Sequence, residues 1–453
     1  MGFSKKEIIE MAQNPERYGK RILKLSDYMY RKSGYYKRLI DYFANQAVLR
    51  YTIDTKLYTD KLSVNKTTLK NNYIKFLVFA DRLNLSNEIH NITKAMFKND
   101  VVYAYVDTNG MNNTYYYLDP MICEISSLID GNVYGFYIQK NKISKSKFIT
   151  LPLALQELLD KSNPPDSRVI VPYENSLCLK YNNDFVTPYP PFLMMITDIM
   201  LIDEYKDLTK AQSINDAYKI LTMKIPTKDG EITLDDGLIT TFTSVVLDTV
   251  QNSIGVITTP FDTSTEEFSS SNADDRDTVS DAISWAFKNV GVSEALMSGA
   301  SSGSELKYSI INDSGDIFRI YRMIENWVML QANLHKFVYN DYRFVYKIID
   351  MTIFNQQDIA DKELSLAQNG IPNKTRLCAV NNISPVEMLG NSLIENELLA
   401  DTFSNWSVLQ TSYTQSNGSS DEGGRPQMDE TDLSDSGSNT RENDTNDKAN
   451  RDY

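Results

Sequence analysis

The sequence has few of the side chains that most often carry out chemistry. Its 453 residues include two histidines, His90 and His335, and three widely separated cysteines, Cys123, Cys178 and Cys378. Without a C-x-x-C pair, these cysteines indicate free thiols in a reducing compartment rather than a disulfide framework or a zinc site. Because no histidine cluster accompanies the acidic residues, we expect neither a metal nor a cofactor.

Long apolar segments are missing as well. No run approaches the roughly 20 apolar residues that a membrane span requires, and the N-terminal MGFSKKEIIEMAQ has no apolar core. We therefore expect a protein that is made and kept in solution, without membrane contact. The motif G-x-x-x-x-G-K-[ST] is also absent, which excludes a P-loop ATPase.

One catalytic pattern does occur, in the stretch SGASSGS at 298–304. Gly299 to Gly303 fit G-x-S-x-G, which in hydrolases holds a serine on a turn between a buried strand and a helix. The preceding NVGVSEALMSG does not have the pattern of a strand, and only His335 lies downstream as a base. Glycine and serine clusters are common where a loop must bend freely. We interpret the stretch as a flexible loop, with a serine hydrolase that uses Ser301 as an alternative.

The remaining composition is that of a folded, acidic protein. Hydrophobic residues make up 42% and aromatic residues 11% of the chain, enough for a sizeable core and more than one domain. The net charge of −14 has the wrong sign for a protein that grips nucleic acid by neutralising phosphates. Residues 1–50 nevertheless carry a local charge of +6, whereas residues 411–453 carry −6.

Hydrophobic periodicity predicts an α+β fold that is mainly helical. Helices are expected at 4–13, 15–48, 66–97, 190–217, 234–250, 275–289, 314–338, 356–369, 373–381 and 384–401. Strands are expected at 101–107, 114–120, 132–140, 168–182, 218–226, 253–260 and 343–355, the last of which can complete the earlier antiparallel sheet. The helix at 190–217 begins at prolines, a common start signal, and is acidic on its polar side. The segment after 402 is rich in Ser, Asp, Asn and Gly, which predicts a disordered tail.

Several segments, taken in order, resemble the portal proteins of tailed bacteriophages, in the branch common in phages of Firmicutes. They are YMYRKSGYYKRLIDYFANQ, PPFLMMITDIMLIDEYKDL, the KIP strand, GVSEALMSG with a polar run before ELKYSI, RMIENWV, DMTIFN, GIPNK and GGRP in the acidic tail. Each segment is weakly diagnostic alone, and their order over most of the chain makes the likeness specific.

The resemblance implies a subunit with wing, stem, clip and crown regions that closes into a ring, usually of twelve copies. The wing would comprise 1–189, the first stem helix 190–217, the clip 218–272 and the second stem helix 273–290. A tunnel loop at 291–313 would be followed by a tunnel-side helix and a returning wing strand at 314–356. A helical crown at 357–402 and the acidic tail at 403–453 would complete the chain.

The resemblance also implies a function without catalysis. The ring would lie at one vertex of the virion, after assembly in the host cytoplasm, and would pass double-stranded DNA during packaging and ejection. Expected partners are further copies of the chain, the terminase, major capsid and scaffolding proteins, and a head-tail adaptor. Terminase docking is expected on the clip, with candidates Lys219, Lys224, Lys228 and Asp229. The tunnel-loop residues expected to face DNA are Met297, Ser298, Gly299, Ser301, Ser302, Gly303 and Ser304.

The charge of the chain fits a conduit on independent grounds. Every phosphate neutralised by Lys or Arg adds affinity that would stall a moving duplex, whereas an acidic wall repels it. Candidates for that wall are Asp198, Asp203, Glu204 and Asp207. A different virion ring or a capsid component remains an alternative, although adaptors are usually much shorter and a capsid subunit would lack this order of helices.

Overall fold

The computed structural model describes residues 3–59, 64–161, 167–217, 219–224, 227–228, 231–232, 235–249, 254–259, 278–292 and 303–400. The chain divides into two compact units, Met1–Met388 and Leu389–Tyr453. In the second unit the described residues complete a helix and continue into a short π-helix, Ile394–Leu398. All other elements belong to the first unit.

The fold is α+β and mainly helical, as the sequence predicts. The helices are α1 (Lys5–Gln13), α2 (Pro15–Lys32), α3 (Gly34–Gln46), α4 (Lys66–Arg82), α5 (Leu85–Asn99), α6 (Lys145–Ile149), α7 (Leu153–Lys161), α8 (Met195–Ala217), α9 (Asp236–Thr249), α10 (Thr278–Val290), α11 (Gly303–Leu334), α12 (Gln356–Gln368), α13 (Lys374–Val380) and α14 (Pro385–Leu393). The strands are β1 (Tyr51–Leu57), β2 (Val101–Asp107), β3 (Thr114–Tyr117), β4 (Cys123–Asp130), β5 (Val133–Gln139), β6 (Arg168–Ile170), β7 (Ser176–Lys180), β8 (Lys219–Lys224), β9 (Thr227–Lys228), β10 (Glu231–Ile232), β11 (Ile254–Thr259) and β12 (Tyr342–Ile348).

Two helices predicted as continuous are each divided in the structure. Ser33 separates α2 from α3, and its hydroxyl accepts a hydrogen bond from the Tyr36 backbone N–H at 3.3 Å, as an N-cap residue does. Asn84 separates α4 from α5 in a left-handed conformation, with φ of 53°, which asparagine tolerates better than most residues. Apolar residues recur at helical spacing across both breaks, so the sequence pattern predicted one continuous helix in each case.

A six-stranded antiparallel sheet forms the centre of the N-terminal half. Its strand order is β3-β2-β7-β5-β4, and β6 pairs with the end of β5. Side chains of β2 alternate between two cores: Val102, Ala104 and Val106 join the main helical core, and Val101, Tyr103 and Tyr105 join a second core under α6 and α7. Both faces of the sheet are therefore covered by helices.

The strand at the end of α11 does not extend this sheet, contrary to our expectation. β12 pairs with β1 in a separate two-stranded antiparallel ribbon, from Tyr51 opposite Ile348 to Leu57 opposite Tyr342. The sequence pattern did not identify β1, which therefore left β12 without its true partner. The ribbon still returns the chain to the N-terminal region, because β1 follows α3 directly.

Helix α11 is hydrogen-bonded to several other parts of the first unit. The indole N–H of the buried Trp327 donates to the Ser176 carbonyl of β7 at 2.8 Å. The Tyr321 hydroxyl donates to the Met351 carbonyl at 2.8 Å and accepts from the Val48 backbone N–H at 2.8 Å. These bonds tie the helix to the sheet on one side and to the β1–β12 ribbon on the other.

The same helix begins earlier than the sequence predicted. We expected a loop up to residue 313 and a helix start at Ser314 and Gly315, whereas α11 begins at Gly303. The Ser314 hydroxyl donates to the Ile310 carbonyl at 2.8 Å, a bond to residue i−4 made inside a helix rather than at its start. Residues 303–313 of the expected tunnel loop are therefore helical.

Candidate functional site

Helices α8 and α10 form an antiparallel hairpin. The two helices lie in the parts of the sequence where the two stem helices were expected. The helices pack against each other, and the end of α10 lies beside the start of α8, because the Asn289 side-chain amide donates to the Asp198 carboxylate at 3.2 Å. Ile196, Ile199 and Ile202 of α8 are buried in the same core as Ala286 and Phe287 of α10. This apolar seam holds the hairpin on the body of the subunit.

The predicted acidic residues of α8 occupy two environments. Asp203, Glu204 and Asp207 are exposed and lie within about one turn of each other, in a stretch of α8 that buries no side chain from Asp203 to Ala211. Asp198 is half-buried against α10. Among the described residues, only Asp207 has a cation nearby, the Lys210 ammonium at 3.9 Å, in a solvent-exposed pair that contributes little. Among the described residues, three of the four predicted acids thus share an open surface.

One apolar residue of α8 is exposed. Phe192, Ile196 and Ile199 are buried, and Met200 is half-buried. Leu208, however, has 53% of its surface exposed. It lies on the same face as Glu204, one helical turn away, so the exposed face of α8 is not purely acidic.

The segment between the two helices contains small β elements and one helix. Strands β8 and β11 pair in parallel, from Lys219 opposite Ile254 to Lys224 opposite Thr259. A short hairpin of β9 and β10 and helix α9 lie between them in the sequence. Of the predicted docking residues, Lys219 and Lys224 are the ends of β8 and Lys228 is in β9. Asp229 lies outside the described residues.

A buried ion pair fastens the chain just before the hairpin, and sequence reasoning did not identify it. Asp100 and Lys180 are both fully buried, with 2.7 Å between the carboxylate and the ammonium. The other hydrogen bonds of Asp100 come from the backbone N–H groups of Asn182 and Tyr189, at 2.7 and 2.8 Å. The carboxylate therefore fixes the path of residues 182–189, which lead into α8. Asp100 ends α5 in the αL conformation, with φ of 67°, a feature that only the structure shows.

The first part of α11 is fastened by two further carboxylates. The Tyr42 hydroxyl of α3 donates to Asp313 at 2.9 Å, and the Tyr181 hydroxyl donates to Asp316 at 2.5 Å. Burial raises the pKa of Asp313 to about 6, and the nearby Asp316 charge acts in the same direction. These bonds connect α11 to α3 and to the residue that follows β7.

Most of the predicted tunnel-loop residues lie outside the described part of the chain. Met297, Ser298, Gly299, Ser301 and Ser302 belong to this group, whereas Gly303 and Ser304 begin α11. His335 follows the other end of the same helix, and its ring packs on Phe79 with 5.4 Å between ring centroids. A helix of 32 residues is about 48 Å long at 1.5 Å per residue. This distance separates His335 from the start of α11.

Among the described residues, no group of three or more His, Cys, Asp or Glu side chains is arranged to hold a metal ion. None of the described helices combines the length and apolar character needed to cross a bilayer.

Comparisons with known proteins give weak structural likenesses. No protein-family model and no curated protein matches the chain. One similar solved structure is a chain in the neck of an empty GTA particle computed with C6 symmetry, with a TM-score of 0.42, 10% identity, and coverage of 77% of this chain and 90% of that chain. Another is a chain of the virion of the native gene transfer agent (GTA) particle, with a TM-score of 0.40, 10% identity, and coverage of 76% and 89%. A TM-score below 0.5 does not establish a shared fold, so the proposals below rest on the residues and contacts of this chain.

Proposed function

We propose that this chain is the subunit of a portal ring, a closed channel at one capsid vertex through which double-stranded DNA is packaged and later released. The observation that carries the proposal is the antiparallel α8–α10 hairpin, with an independently paired insertion between its two helices in the sequence and α11 as the next described helix. We interpret these elements as the stem, clip and tunnel-side helix that the sequence resemblance implies. The sheet and α1–α7 then correspond to the wing, and α12–α14 to the crown.

The exposed acids of α8 supply the physical argument for a conduit. In a ring, Asp203, Glu204 and Asp207 would be repeated around the bore in every subunit. Fixed negative charges repel phosphates and leave no counterions to be released on contact, so a duplex gains no affinity that would hold it in place. Leu208 lies about 100° from Asp207 around the helix and would contact a neighbouring subunit, since cyclic rings are closed by head-to-tail interfaces.

The short segment between α10 and α11 is proposed as the tunnel loop, now restricted to residues 291–302. Its glycine and serine content lets a loop contact DNA without a fixed grip. Deletion of 297–302 is expected to leave ring assembly intact, because it removes no residue of the hairpin seam or of α11, and to reduce DNA packaging or retention. Packaging at the unmodified level in assembled rings would contradict the loop assignment.

Electron microscopy of the purified protein tests the proposal directly. We expect negative-stain images of closed rings with a central opening. A monomer or an icosahedral shell would overturn the portal assignment, and a shell would favour a capsid component.

Terminase, adaptor, capsid and scaffolding partners follow from the ring and are tested by co-purification with it. Labelling of Ser301 by a fluorophosphonate probe would establish the hydrolase alternative.

A further inference from the structure

A cavity of about 840 Å³ lies on the wing, between helix α2, the edge strand β4 and the segment 186–188 that precedes the hairpin. Small-molecule sites generally have volumes of about 300–1,000 Å³. The cavity is close to the basic N-terminal helices of an otherwise acidic chain. It plays no part in the channel described above.

The cavity has two cations that other groups do not neutralise. Lys20 is occupied, since its ammonium donates to the backbone carbonyls of Pro120 and Cys123 at 2.9 and 2.8 Å. Arg21 is also occupied, by Glu7 at 2.6 Å. Among the described residues, by contrast, Arg17 and Lys24 line the cavity and form no ion pair. Both side chains are exposed, so two positive charges at the rim are available to an anion.

Aromatic rings adjoin these cations. The Arg17 guanidinium lies 5.2 Å from the centroid of the Tyr18 ring, and the Arg21 guanidinium lies 5.8 Å from the centroid of Phe3. Both rings line the cavity and are half-buried. The cavity therefore offers ring faces and positive charge.

The acidic side chains of the lining do not cancel this charge. Glu124 accepts the hydroxyl of Tyr137 and lies 3.8 Å from the Lys20 ammonium, so its charge is balanced within the fold. Glu16 is exposed and is the remaining carboxylate of the lining. The charge of Lys20 is balanced by Glu124, and that of Arg21 by Glu7. The two remaining cations, Arg17 and Lys24, outnumber the remaining carboxylate, Glu16, so the rim of the cavity has a net positive charge.

We propose that this cavity binds a nucleotide unit, with the phosphate at Arg17 and Lys24 and the base against the aromatic rings. The cations would bind the negatively charged phosphate. The base would stack on aromatic side chains and on the planes of arginine side chains. The unit can be a free mononucleotide or one residue of a single-stranded nucleic acid. An acidic peptide would use the same cations, but it would leave the rings and the closed volume beside them without a matching group.

Isothermal titration of the full-length protein with 2′-deoxyadenosine 5′-monophosphate tests the proposal. We expect saturable binding that is at least tenfold tighter than that of inorganic phosphate or deoxyadenosine, because each of these has only half of the recognised chemistry. The oligonucleotide (dT)8 distinguishes the two sources: tighter binding than the mononucleotide indicates a strand, and weaker binding indicates a free nucleotide.

Paired variants distinguish binding in the cavity from non-specific attraction by positive surface charge. The double variant Arg17→Ala/Lys24→Ala is expected to weaken mononucleotide binding at least tenfold. Lys5→Ala/Lys6→Ala removes the same charge from exposed positions on α1 outside the cavity and is expected to leave binding unchanged. Val186 lines the cavity with 69% of its surface exposed, so Val186→Trp should fill the space without unfolding the protein and should also abolish binding.

Three results would overturn the proposal. One is the absence of mononucleotide binding in protein with an unchanged thermal melt. Another is equal affinity for phosphate alone, which would reduce the site to a surface anion patch. The third is binding of hexaglutamate but not of the mononucleotide, with loss in Arg17→Ala/Lys24→Ala, which would assign the cavity to an acidic peptide.

Discussion

Buried polar residues hold the α8–α10 hairpin in place on the wing. Asp100 and Lys180 fix the chain that enters α8, while Asp313 and Asp316 anchor the helix that follows the hairpin. None of these side chains was identified from sequence, because a single acid or lysine is normally predicted to lie on the solvated surface. Only the structure shows the partners that bury it. Partners in these contacts are separated by 80 residues for the ion pair and by 135 or more for the two tyrosine–carboxylate bonds.

Removal of one member of the buried ion pair is expected to destabilise the subunit strongly. Lys180→Met leaves the Asp100 carboxylate buried without a counter-charge, a change that costs about 3–5 kcal/mol in the free energy of unfolding. Urea denaturation measures the effect. The double variant Lys180→Met/Asp100→Asn should lose less, because no buried charge remains.

A control for this variant is Lys161→Met, which breaks the exposed pair with Glu157 and should change the free energy of unfolding by less than about 0.5 kcal/mol. Equal losses in the two lysine variants would contradict the role assigned to Asp100 and Lys180.

Asp313 makes the stability of the subunit dependent on pH. Its pKa is about 6 in the folded state and about 3.9 in an unfolded chain, so the folded protein binds the extra proton between these values. The stabilisation is present below about pH 4 and is lost as the pH rises through about 6. Asp313→Asn cannot ionise, and we expect it to gain about 1–2 kcal/mol over the unmodified protein between pH 4.5 and pH 8.

Urea denaturation at the two pH values checks this result. Asp130→Asn changes an exposed carboxylate and should show no such dependence. A gain of Asp313→Asn that is the same at both pH values would contradict the raised pKa as its cause.

At the scale of elements, sequence periodicity placed most helices and strands but not their pairing. The long helix at α8, the small β insertion and α10 were predicted because their apolar residues recur regularly and prolines or glycines punctuate them. The predicted start of the first of these helices, residue 190, was wrong: residues 191–194 form a turn and α8 begins at Met195. β1 and β4 were not identified. The start of α11 was misplaced because Ser314 and Gly315 resemble a helix start, whereas Ser314 bonds inside the helix. β12 was assigned to the wrong sheet because pairing depends on distant residues.

The acidic face of α8 is tested by charge reversal. Asp203→Lys, Glu204→Lys and Asp207→Lys together should leave folding and assembly intact, because all three side chains are exposed. We expect rings that retain DNA through phosphate contacts, with retention falling steeply between low and moderate salt. DNA that co-purifies with the protein is measured at both salt concentrations.

The matched control reverses three exposed acids of the wing, Asp130, Glu174 and Asp184, which gives the same net charge. This variant should retain no additional DNA. Equal retention by both variants would show that overall charge, rather than the face of α8, governs the contact with DNA.

At the scale of the whole molecule, the chain combines an acidic hairpin with a basic N-terminal region. The charges of +6 in residues 1–50 and −14 overall were available from sequence, and so was the order of elements. Sequence could not provide the cavity beside α2, because it is formed by Arg17 and Lys24 facing β4 and residues 186–188, which are brought together only by folding. We propose separate roles for the two regions: the hairpin would repel DNA in transit, and the cavity would bind a nucleotide unit.

A cryo-electron microscopy map of the assembled protein is the most direct test of the central claim. We predict a closed ring whose opening is lined by α8, with Asp203, Glu204 and Asp207 facing the bore. An assembly without a central opening, or a bore lined mainly by lysine and arginine, would contradict the account.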